Sequence, residues 1–332
     1  MVPSFLTKAV KTVKDKSGRS INYLRISVTD KCNLRCRYCM PEPVPDVEHE
    51  EILRYEEILR ICEAAVRVGI RKFKITGGEP LVRKGCVDFM RRLKDLNGVE
   101  SVTITTNGLF VKDHIDEFKY MGLDGINISL DTLDREQFFR LTGTDGMDAV
   151  IDAVSACVSA GLKTKVNSVL LSETKSQILR LAHLAQKMAV DVRFIEVMPI
   201  GFGRFEKGPT EDEVLQILQA EYPDLAYRRK VRGNGPAVYY GSKVLQGHIG
   251  FIAANTHRFC DECNRMRLTS TGFLKPCLCY DSGIDLKAVL RGGTRDSLMA
   301  ALTRAVKSKP QGHCFSHVGE ITESKTMNRI GG

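Results

Sequence analysis

The sequence lacks the features that mark a membrane protein, a secreted protein or a nucleic-acid-binding protein. No apolar run approaches the length of a transmembrane helix. The first residues, MVPSFLTKAVKTVKDKSG, contain neither a sustained apolar core nor a small-residue cleavage site. No recognised nucleic-acid motif accompanies the scattered lysines and arginines. We therefore expect a cytoplasmic protein that binds neither a membrane nor a nucleic acid.

Internal repeats of fixed period and low-complexity tracts are absent as well. Eleven cysteines in 332 residues, without a secretory signal, favour thiolate ligands or reduced core thiols over a disulfide framework. The net charge of +9 suits an anionic surface or a phosphorylated small molecule. Composition therefore favours a thiol-rich protein of the reducing cytoplasm, and leaves open whether it has one domain or two.

From Ile21 onward, β-branched runs alternate with segments of helical period, which indicates repeated βα units. The predicted strands are INYLRISV, KFKIT, VTITT, GINISL, KTKVNSVLL and VRFIEVM. The helices predicted between them span residues 55–68, 86–96, 113–121, 147–160 and 175–188. Six such units predict an α/β fold with an incomplete (β/α)6 barrel of the TIM type, in which chemistry lies at the C-terminal ends of the strands.

The pattern changes after MPIGFGRFEKG, which ends at Gly208. One helix over residues 211–221 is followed by short, glycine-punctuated strands around AVYYGSKVLQGHIGFI. We therefore predict a partial barrel over residues 1–200 and a smaller α+β segment over residues 201–332 that closes it.

Three cysteines, Cys32, Cys36 and Cys39, follow the first predicted strand in the spacing C-x3-C-x2-C. A structural zinc site usually has four protein ligands, and no fourth Cys or His lies near these three in the sequence. A [4Fe–4S] cluster accepts three thiolates, which leaves its fourth iron open to another ligand. The segment therefore predicts an iron–sulfur cluster with an open iron.

A second set, Cys260, Cys263 and Cys277, has the spacing C-x2-C-x13-C. His257 or Cys279 could complete a four-ligand zinc site at this spacing. On this segment alone, zinc and an iron–sulfur cluster are equally good interpretations.

CNLRCRYC resembles the C-x3-C-x-Φ-C signature of the radical S-adenosylmethionine superfamily, with an aromatic residue before the third cysteine. This resemblance implies that S-adenosylmethionine chelates the open iron. One electron from the reduced cluster then cleaves it to methionine and a 5′-deoxyadenosyl radical. TGGEP, which follows the second predicted strand, and NISLD, at the end of the fourth, resemble cofactor-contacting segments. The cofactor-binding residues that the resemblance implies are Tyr38, Gly78, Glu79, Ser129 and Met198.

The two cysteine patterns together, with CNRMRLT beside the second and Gly331-Gly332 at the end, closely resemble the GTP 3′,8-cyclases of molybdenum cofactor biosynthesis. The resemblance runs from about Leu24 to the last residue. It implies a [4Fe–4S] cluster on each set of three cysteines, with the guanine of GTP on the open iron of the second. The expected product is (8S)-3′,8-cyclo-7,8-dihydroguanosine 5′-triphosphate, formed after the 5′-deoxyadenosyl radical abstracts the ribose C3′ hydrogen.

The same resemblance implies a set of substrate-binding residues: Arg25, Lys74, Thr105, Lys165, Arg265, Met266, Arg267, Gly331 and Gly332. A triphosphate needs several cations, and Arg forks suit phosphate oxygens. Lys74 stands where the family pattern has Arg, so the charge is kept but the bidentate fork is lost. Asn328 and Arg329 differ from the small and apolar residues expected before the two glycines.

The implied partners are GTP, an electron donor, a downstream cyclic pyranopterin monophosphate synthase and a second copy in a homodimer. Two other functions stay open. One is a radical S-adenosylmethionine enzyme that modifies a peptide and uses the second cluster as an auxiliary site, although the Gly-Gly end and CNRMRLT argue against it. The other is a non-catalytic zinc-binding module with the Gly-Gly end as a conjugation handle.

Overall fold

One twelve-stranded sheet organises the part of the chain that the computed structural model describes, residues 12–42, 47–229 and 232–331. Its strands are β1 Tyr23–Ser27, β2 Lys72–Thr76, β3 Ser101–Thr106, β4 Gly125–Ser129, β5 Thr164–Leu170, β6 Asp191–Glu196, β7 Ala226–Arg228, β8 Val238–Gly241, β9 Ile249–Ile252, β10 Arg265–Leu268, β11 Phe273–Lys275 and β12 Ile284–Asp285. The six strands predicted before Met198 are confirmed as β1 to β6. The sequence analysis did not resolve β7, β10, β11 and β12.

The helices of the described residues are α1 Tyr55–Arg67, α2 Cys86–Lys94, α3 Ile115–Tyr120, α4 Arg135–Thr142, α5 Met147–Ser159, α6 Ile178–Lys187, α7 Glu211–Glu221, α8 Leu286–Gly292 and α9 Arg295–Lys307. The predicted helices are confirmed, except that α3 and α6 are preceded by 3₁₀ turns. The prediction missed α4, α8 and α9. None of the helices in the described ranges is both long and apolar enough to cross a membrane.

The strands lie in the spatial order β12-β11-β10-β1-β2-β3-β4-β5-β6-β9-β8-β7. The eight strands from β10 to β9 are parallel, whereas β11, β12, β8 and β7 extend the two sides in antiparallel pairing. Strands from both sides of residue 200 therefore belong to one sheet. The division at residue 200 stays a prediction.

The two faces of the parallel strands carry different residues because successive side chains point to opposite sides. Leu24 and Ile26 of β1 belong to the main apolar core, together with residues of the covering helices such as Ile58 of α1. Tyr23 and Arg25 of the same strand line a cavity on the other face. The helices thus cover the apolar face and leave a polar face for the site.

Candidate functional site

The two cysteine sets lie at opposite edges of the sheet, by which we mean the C-terminal and the N-terminal ends of its parallel strands. Cys32, Cys36 and Cys39 follow the C-terminal end of β1, whereas Cys260 and Cys263 precede the N-terminal end of β10. Since β10 is parallel to β1, these edges are opposite. Cys277 follows β11, which is antiparallel to β10, so the chain returns to the edge where Cys263 lies.

The first cysteine set consists of three free, half-buried thiols in one environment. Burial raises the pKa of Cys39 to about 12, and the nearby Cys32 raises it further. Burial also raises the pKa of Cys36, as do Cys39, Asp131 and Cys32. A bound cation would reverse this effect, because thiolates bind metals in the deprotonated form. The three residues therefore fit a cluster that takes one thiolate on each of three irons.

Tyr38, within the first cysteine loop, connects that loop to the ends of β4 and β5. Its hydroxyl donates to Asp131 Oδ2 at 2.7 Å, and the amide of Val169 donates to Asp131 Oδ1 at 2.7 Å. Burial raises the pKa of Asp131 to about 6, although these two donors oppose the shift. Ser129 ends β4 and Met198 lies two residues past β6, so both predicted cofactor residues lie at the same edge.

Glu79 is buried at the C-terminal end of β2, where the protein itself supplies donors to both carboxylate oxygens. Oε1 accepts from the amide of Leu81 at 3.0 Å and the hydroxyl of Thr106 at 2.8 Å, and Oε2 accepts from the amide of Asn107 at 2.6 Å. Burial raises the pKa of Glu79 to about 7 despite these bonds. This carboxylate therefore holds the ends of β2 and β3 together.

Gly78 packs directly against the segment that leads into the first cysteine loop. Its amide donates to the carbonyl of Thr29 at 2.8 Å. A Cβ at this position would overlap the carbonyl oxygens of Asp30 and Lys31. The glycine therefore lets TGGEP approach the cysteine loop more closely than any other residue would allow.

The second cysteine set lies among cations. Burial alone would raise the pKa of Cys263, but Arg265 and Lys309 lower it to about 7. Lys309 is itself buried, and its ammonium donates to the carbonyls of Arg265 at 2.8 Å and Pro276 at 2.6 Å. A thiol with a pKa near 7 is about half thiolate at neutral pH, and the thiolate is the form that binds iron. These residues fit a metal cluster.

The two candidate fourth ligands of a zinc site face other partners. Cys279 Sγ lies 2.7 Å from Cys314 Sγ, and His257 Nδ1 lies 3.3 Å from Glu211 Oε2. Among the residues that the structure describes, no group of three or more His, Cys, Asp or Glu side chains is arranged to hold a single metal ion. A [4Fe–4S] cube differs because each thiolate binds a separate iron.

A cavity of about 770 Å³ lies on the polar face of the sheet and extends toward the edge of the second cysteine set. This volume is within the range of small-molecule sites. The strand residues that line it include Tyr23, Arg25, Lys74, Thr103, Thr105, Asn127, Lys165, Asn167, Asp191, Arg193 and Arg265. They come from β1 to β6 and from β10, at alternate positions of each strand.

Three cations stand side by side across neighbouring strands at this face. Arg25 pairs in register with Arg267 of β10 on one side and with Lys74 of β2 on the other. Burial lowers the pKa of Arg25 to about 10, and Arg265 and Arg193 add to the effect. Burial and neighbouring cations also lower the pKa values of Lys74 and Arg267 well below their ordinary range. Like charges on facing strand positions are destabilising, so this face is built for an anion.

The two carboxylates that line the cavity pair with cations outside the row. Asp124 contacts Lys94 Nζ at 2.5 Å. Asp191 accepts from Lys165 Nζ at 3.1 Å and from Arg232 Nε at 3.0 Å.

Two family models and several curated proteins match the chain. The model described as "Radical SAM superfamily" matches residues 26–185, and the model described as "Molybdenum Cofactor Synthesis C" matches residues 190–315. A GTP 3′,8-cyclase of Clostridium perfringens (strain SM101 / Type A) is 41% identical over 323 residues, which cover 96% of this chain and 100% of that protein. The chain belongs to the GTP 3′,8-cyclase family. A GTP 3′,8-cyclase of Heliobacterium modesticaldum is 43% identical over 325 residues, or 96% of this chain and 99% of that protein.

Among solved structures, Streptococcus suis SuiB bound to S-adenosylmethionine aligns with a TM-score of 0.64 at 16% sequence identity, covering 93% of this chain and 77% of that one. At this identity the likeness shows the fold alone, an α/β fold with a large, mainly parallel sheet. The full-length relatives therefore decide the family, and they favour the cyclase family over the peptide-modifying and zinc-module alternatives.

The other residues that the family resemblance assigns to the substrate occupy different environments. Thr105 lines the cavity and its hydroxyl accepts from Asn127 Nδ2 at 3.3 Å. Lys165 also lines it, but its ammonium already contacts Asp191, the Arg232 carbonyl and the Tyr239 hydroxyl. The side chain of Met266 belongs to the apolar core on the opposite face, so only its backbone faces the substrate side.

The end of the chain reaches the row of cations. The carbonyl of Gly331 accepts from Arg25 Nε at 3.1 Å and from Arg267 Nη1 at 3.0 Å. Gly332 lies outside the described residues. Asn328, where a small residue was expected, is buried and donates to the carbonyl of Asp30 at 3.1 Å. The tail therefore packs between the first cysteine loop and the cation row.

The sequence analysis missed several polar residues that line the cavity, among them Tyr23, Asn127, Asn167 and Arg193. Arg193 is largely buried in the apolar run VRFIEV, and its guanidinium donates to Asn167 Oδ1 at 2.9 Å. A signal was present: polar residues at every second position of a strand that is otherwise apolar indicate a functional face.

Proposed function

We propose that the protein is a radical S-adenosylmethionine lyase that converts GTP to (8S)-3′,8-cyclo-7,8-dihydroguanosine 5′-triphosphate, the first step of molybdenum cofactor biosynthesis. The observation that carries the proposal is the row of Arg267, Arg25 and Lys74 on the polar face, between the two cysteine sets. A triphosphate supplies adjacent negative oxygens that would offset the repulsion between these cations.

Both cysteine sets fit the groups that this reaction needs. Cys32, Cys36 and Cys39 would hold the first [4Fe–4S] cluster, and the second set would hold another. When bound, the first cluster supplies the electron that cleaves S-adenosylmethionine, and the second supplies an open iron for the guanine. The residues proposed to bind S-adenosylmethionine at the C-terminal edge are Tyr38, Gly78, Glu79, Ser129 and Met198.

The arrangement of the strands sets the orientation that we propose for GTP. With the guanine at the second cysteine set, the phosphates would lie along the cations that line the cavity. The ribose would then face the C-terminal edge, where S-adenosylmethionine is cleaved. Glu79 and Asp131 would keep the loops of that edge in place through the hydrogen bonds that they accept.

We also propose that β1 to β6 form an incomplete (β/α)6 barrel, which residues 201–332 close. One cavity is lined by residues of all six strands and of β10. Strands in a flat sheet lie about 4.8 Å apart, so a single small cavity lined by these seven strands supports a sheet that curves around it. An electron donor, a downstream cyclic pyranopterin monophosphate synthase, a homodimer and a cytoplasmic location are parts of the same proposal.

Labelled substrate tests the proposal directly. The anaerobically purified protein should contain about eight irons and eight sulfides per chain. With dithionite, S-adenosylmethionine and GTP deuterated at C3′, the 5′-deoxyadenosine formed should carry one deuterium. The cyclised nucleotide should appear in equal amount by mass spectrometry. Unlabelled 5′-deoxyadenosine together with unchanged GTP would contradict the proposed function.

A further inference from the structure

Arg19 connects the N-terminal segment of the described chain to the second cysteine set. Its Nη1 donates to the carbonyl of Cys260 at 2.6 Å and to that of Gln311 at 2.8 Å, and its Nη2 donates to the carbonyl of Pro310 at 2.6 Å. The side chain is 6% exposed. The guanidinium thus contacts two segments that lie 241 and 292 residues after Arg19 in the sequence.

The guanidinium is held in a fixed orientation. Asp15 Oδ2 accepts from Arg19 Nε at 2.6 Å, and Asp15 Oδ1 accepts from the amides of Ser17 and Arg19 at 2.9 Å each. These bonds close a tight turn, in which the amide of Asp15 also donates to the carbonyl of Arg19 at 3.1 Å. The planar guanidinium of Arg19 is therefore held in a fixed orientation toward the Cys260 carbonyl.

One of the three carbonyls that accept from Arg19, that of Cys260, also closes the turn between the candidate iron ligands Cys260 and Cys263. The amide of Cys263 donates to the carbonyl of Cys260 at 3.1 Å. The segment that Arg19 holds at residues 310 and 311 continues to His313, whose amide donates to Cys260 Sγ at 3.4 Å. Arg19 thus fixes the Cys260 backbone directly and the donor to its sulfur indirectly.

We propose that Arg19 is a positioning residue for the second cysteine set, which sets the Cys260 and Cys263 sulfurs in the geometry that a cluster requires. This inference rests on the second cluster of the proposed function. Lysine would keep the positive charge but lose the planar fork, and it cannot reach three carbonyls in fixed directions. The carbonyls of Pro310 and Gln311 would lose the Arg19 donor, and that of Cys260 would keep only the amide of Cys263, so the turn would move more easily.

The test uses a background that holds only the second cluster. In a chain with Cys32→Ala, Cys36→Ala and Cys39→Ala, anaerobic reconstitution should give about four irons per chain. Adding Arg19→Lys should reduce this to below about one and remove the low-temperature EPR signal of the reduced cluster. In the otherwise unchanged chain, Arg19→Lys should keep about four irons and the cleavage of S-adenosylmethionine.

The matched control is Arg92→Lys, because Arg92 pairs with Glu56 at 2.9 Å on the exposed surface of α1 and α2. This variant should keep the full iron content in both backgrounds. Four irons and an unchanged EPR signal with Arg19→Lys would overturn the inference. No iron in the background chain with native Arg19 would show that the second cluster itself is wrong, and the inference with it.

Thiol alkylation of the metal-free protein separates positioning from general stability. Arg19→Lys should make Cys260 react at least about fivefold faster with iodoacetamide, because the local turn opens more often. Cys62, a fully buried residue of α1, should stay protected. Equal acceleration at Cys260 and Cys62 would mean that Arg19 only stabilises the fold, which would overturn its role as a positioning residue.

Discussion

The sulfur of Cys279 lies 2.7 Å from the sulfur of Cys314, and the amide of Cys314 donates to Cys279 Sγ at 3.3 Å. Both residues are buried in a small apolar cluster with Ile200, Ala254, Phe315 and Ile330. Although Cys279 follows the candidate ligand Cys277 by two residues, its sulfur is directed toward Cys314.

Cys279→Ser should therefore leave the iron content and the affinity for GTP nearly unchanged, because in the proposed function three other thiolates would hold the second cluster. Iron analysis after anaerobic reconstitution and equilibrium dialysis with GTP measure the two quantities. Cys277→Ser is the matched comparison, and it should lose about four irons per chain. A similar loss in Cys279→Ser would show that Cys279 is a ligand.

Replacing Cys32, Cys36 or Cys39 by Ala should abolish the reductive cleavage of S-adenosylmethionine. Each thiolate anchors one iron, so an incomplete cube should be lost. The assay is 5′-deoxyadenosine formation with dithionite as the reductant. Cys86→Ala, at a buried core thiol of α2, should keep the activity. Continued 5′-deoxyadenosine formation in any of the three variants would contradict the assignment of the first cluster.

Arg267→Ala should weaken GTP binding and at the same time stabilise the nucleotide-free protein. The lost charge-assisted bonds should cost about 1.5–3 kcal/mol of binding free energy, or roughly 10- to 150-fold in affinity. Without nucleotide, removal of this cation should raise the melting temperature, since burial and Arg25 lower the pKa of Arg267 and the two charges repel each other. Unchanged GTP affinity would leave Arg267 as a structural residue.

Glu79→Gln should remove a pH dependence from the stability of the metal-free protein. The pKa of Glu79 is raised by burial from 4.5 to about 7, so the folded state keeps a proton that the unfolded chain releases in this window. The stability that this proton contributes is complete below about pH 4.5 and is lost as the pH rises to about 7. The difference in unfolding free energy between wild type and variant, measured in urea, should fall across that range. A flat difference would contradict the raised pKa.

Gly331→Ala should impair cyclisation while leaving both clusters in place. Gly331 has φ +82°, which disfavours other residues, and a Cβ there would lie 3.3 Å from both Ser27 Cβ and Thr76 Oγ1. The strained tail should withdraw its carbonyl from Arg25 and Arg267. Product formation should fall, whereas iron content and 5′-deoxyadenosine formation persist. Gly319→Ala, at a glycine with open space around it, is the control. Full activity in Gly331→Ala would show that the tail has no part in the active site.

The sequence predicted β1 to β6 because buried parallel strands with intervening helices produce a strong local pattern. It did not resolve β10 and β11, whose short segments RMRL and FLK carry charged residues. Strand β10 exists because it pairs with β1, some 240 residues earlier in the chain. Local periodicity does not contain such a pairing.

The features of the site differ in the same way: those marked by a local sequence pattern were predicted, and the arrangements that depend on strand pairing were not. The cysteine spacings predicted both clusters because the proposed ligands of each are close in the sequence. The row of Arg267, Arg25 and Lys74 depends on strand register, which only the folded sheet defines. The role of Asp15 and Arg19 was also hidden, since a short charged turn is indistinguishable from an ordinary surface loop until its long-range partners are known.

The pairing of β1 with β10 fixes the distance between the two ends of the proposed substrate site. Tyr23 pairs with Arg265 and Ile26 with Leu268, so one end of this ladder faces the second cysteine set and the other faces the first. Its length is set by backbone repeats of about 3.3 Å per residue, or roughly 10 Å over the three steps from Tyr23 to Ile26. An inserted residue would turn the following cations into the helix-covered core, so the ladder can lengthen only in steps of about two residues. Side-chain substitutions can change which ligand binds between the two edges, but they do not change the distance between the edges.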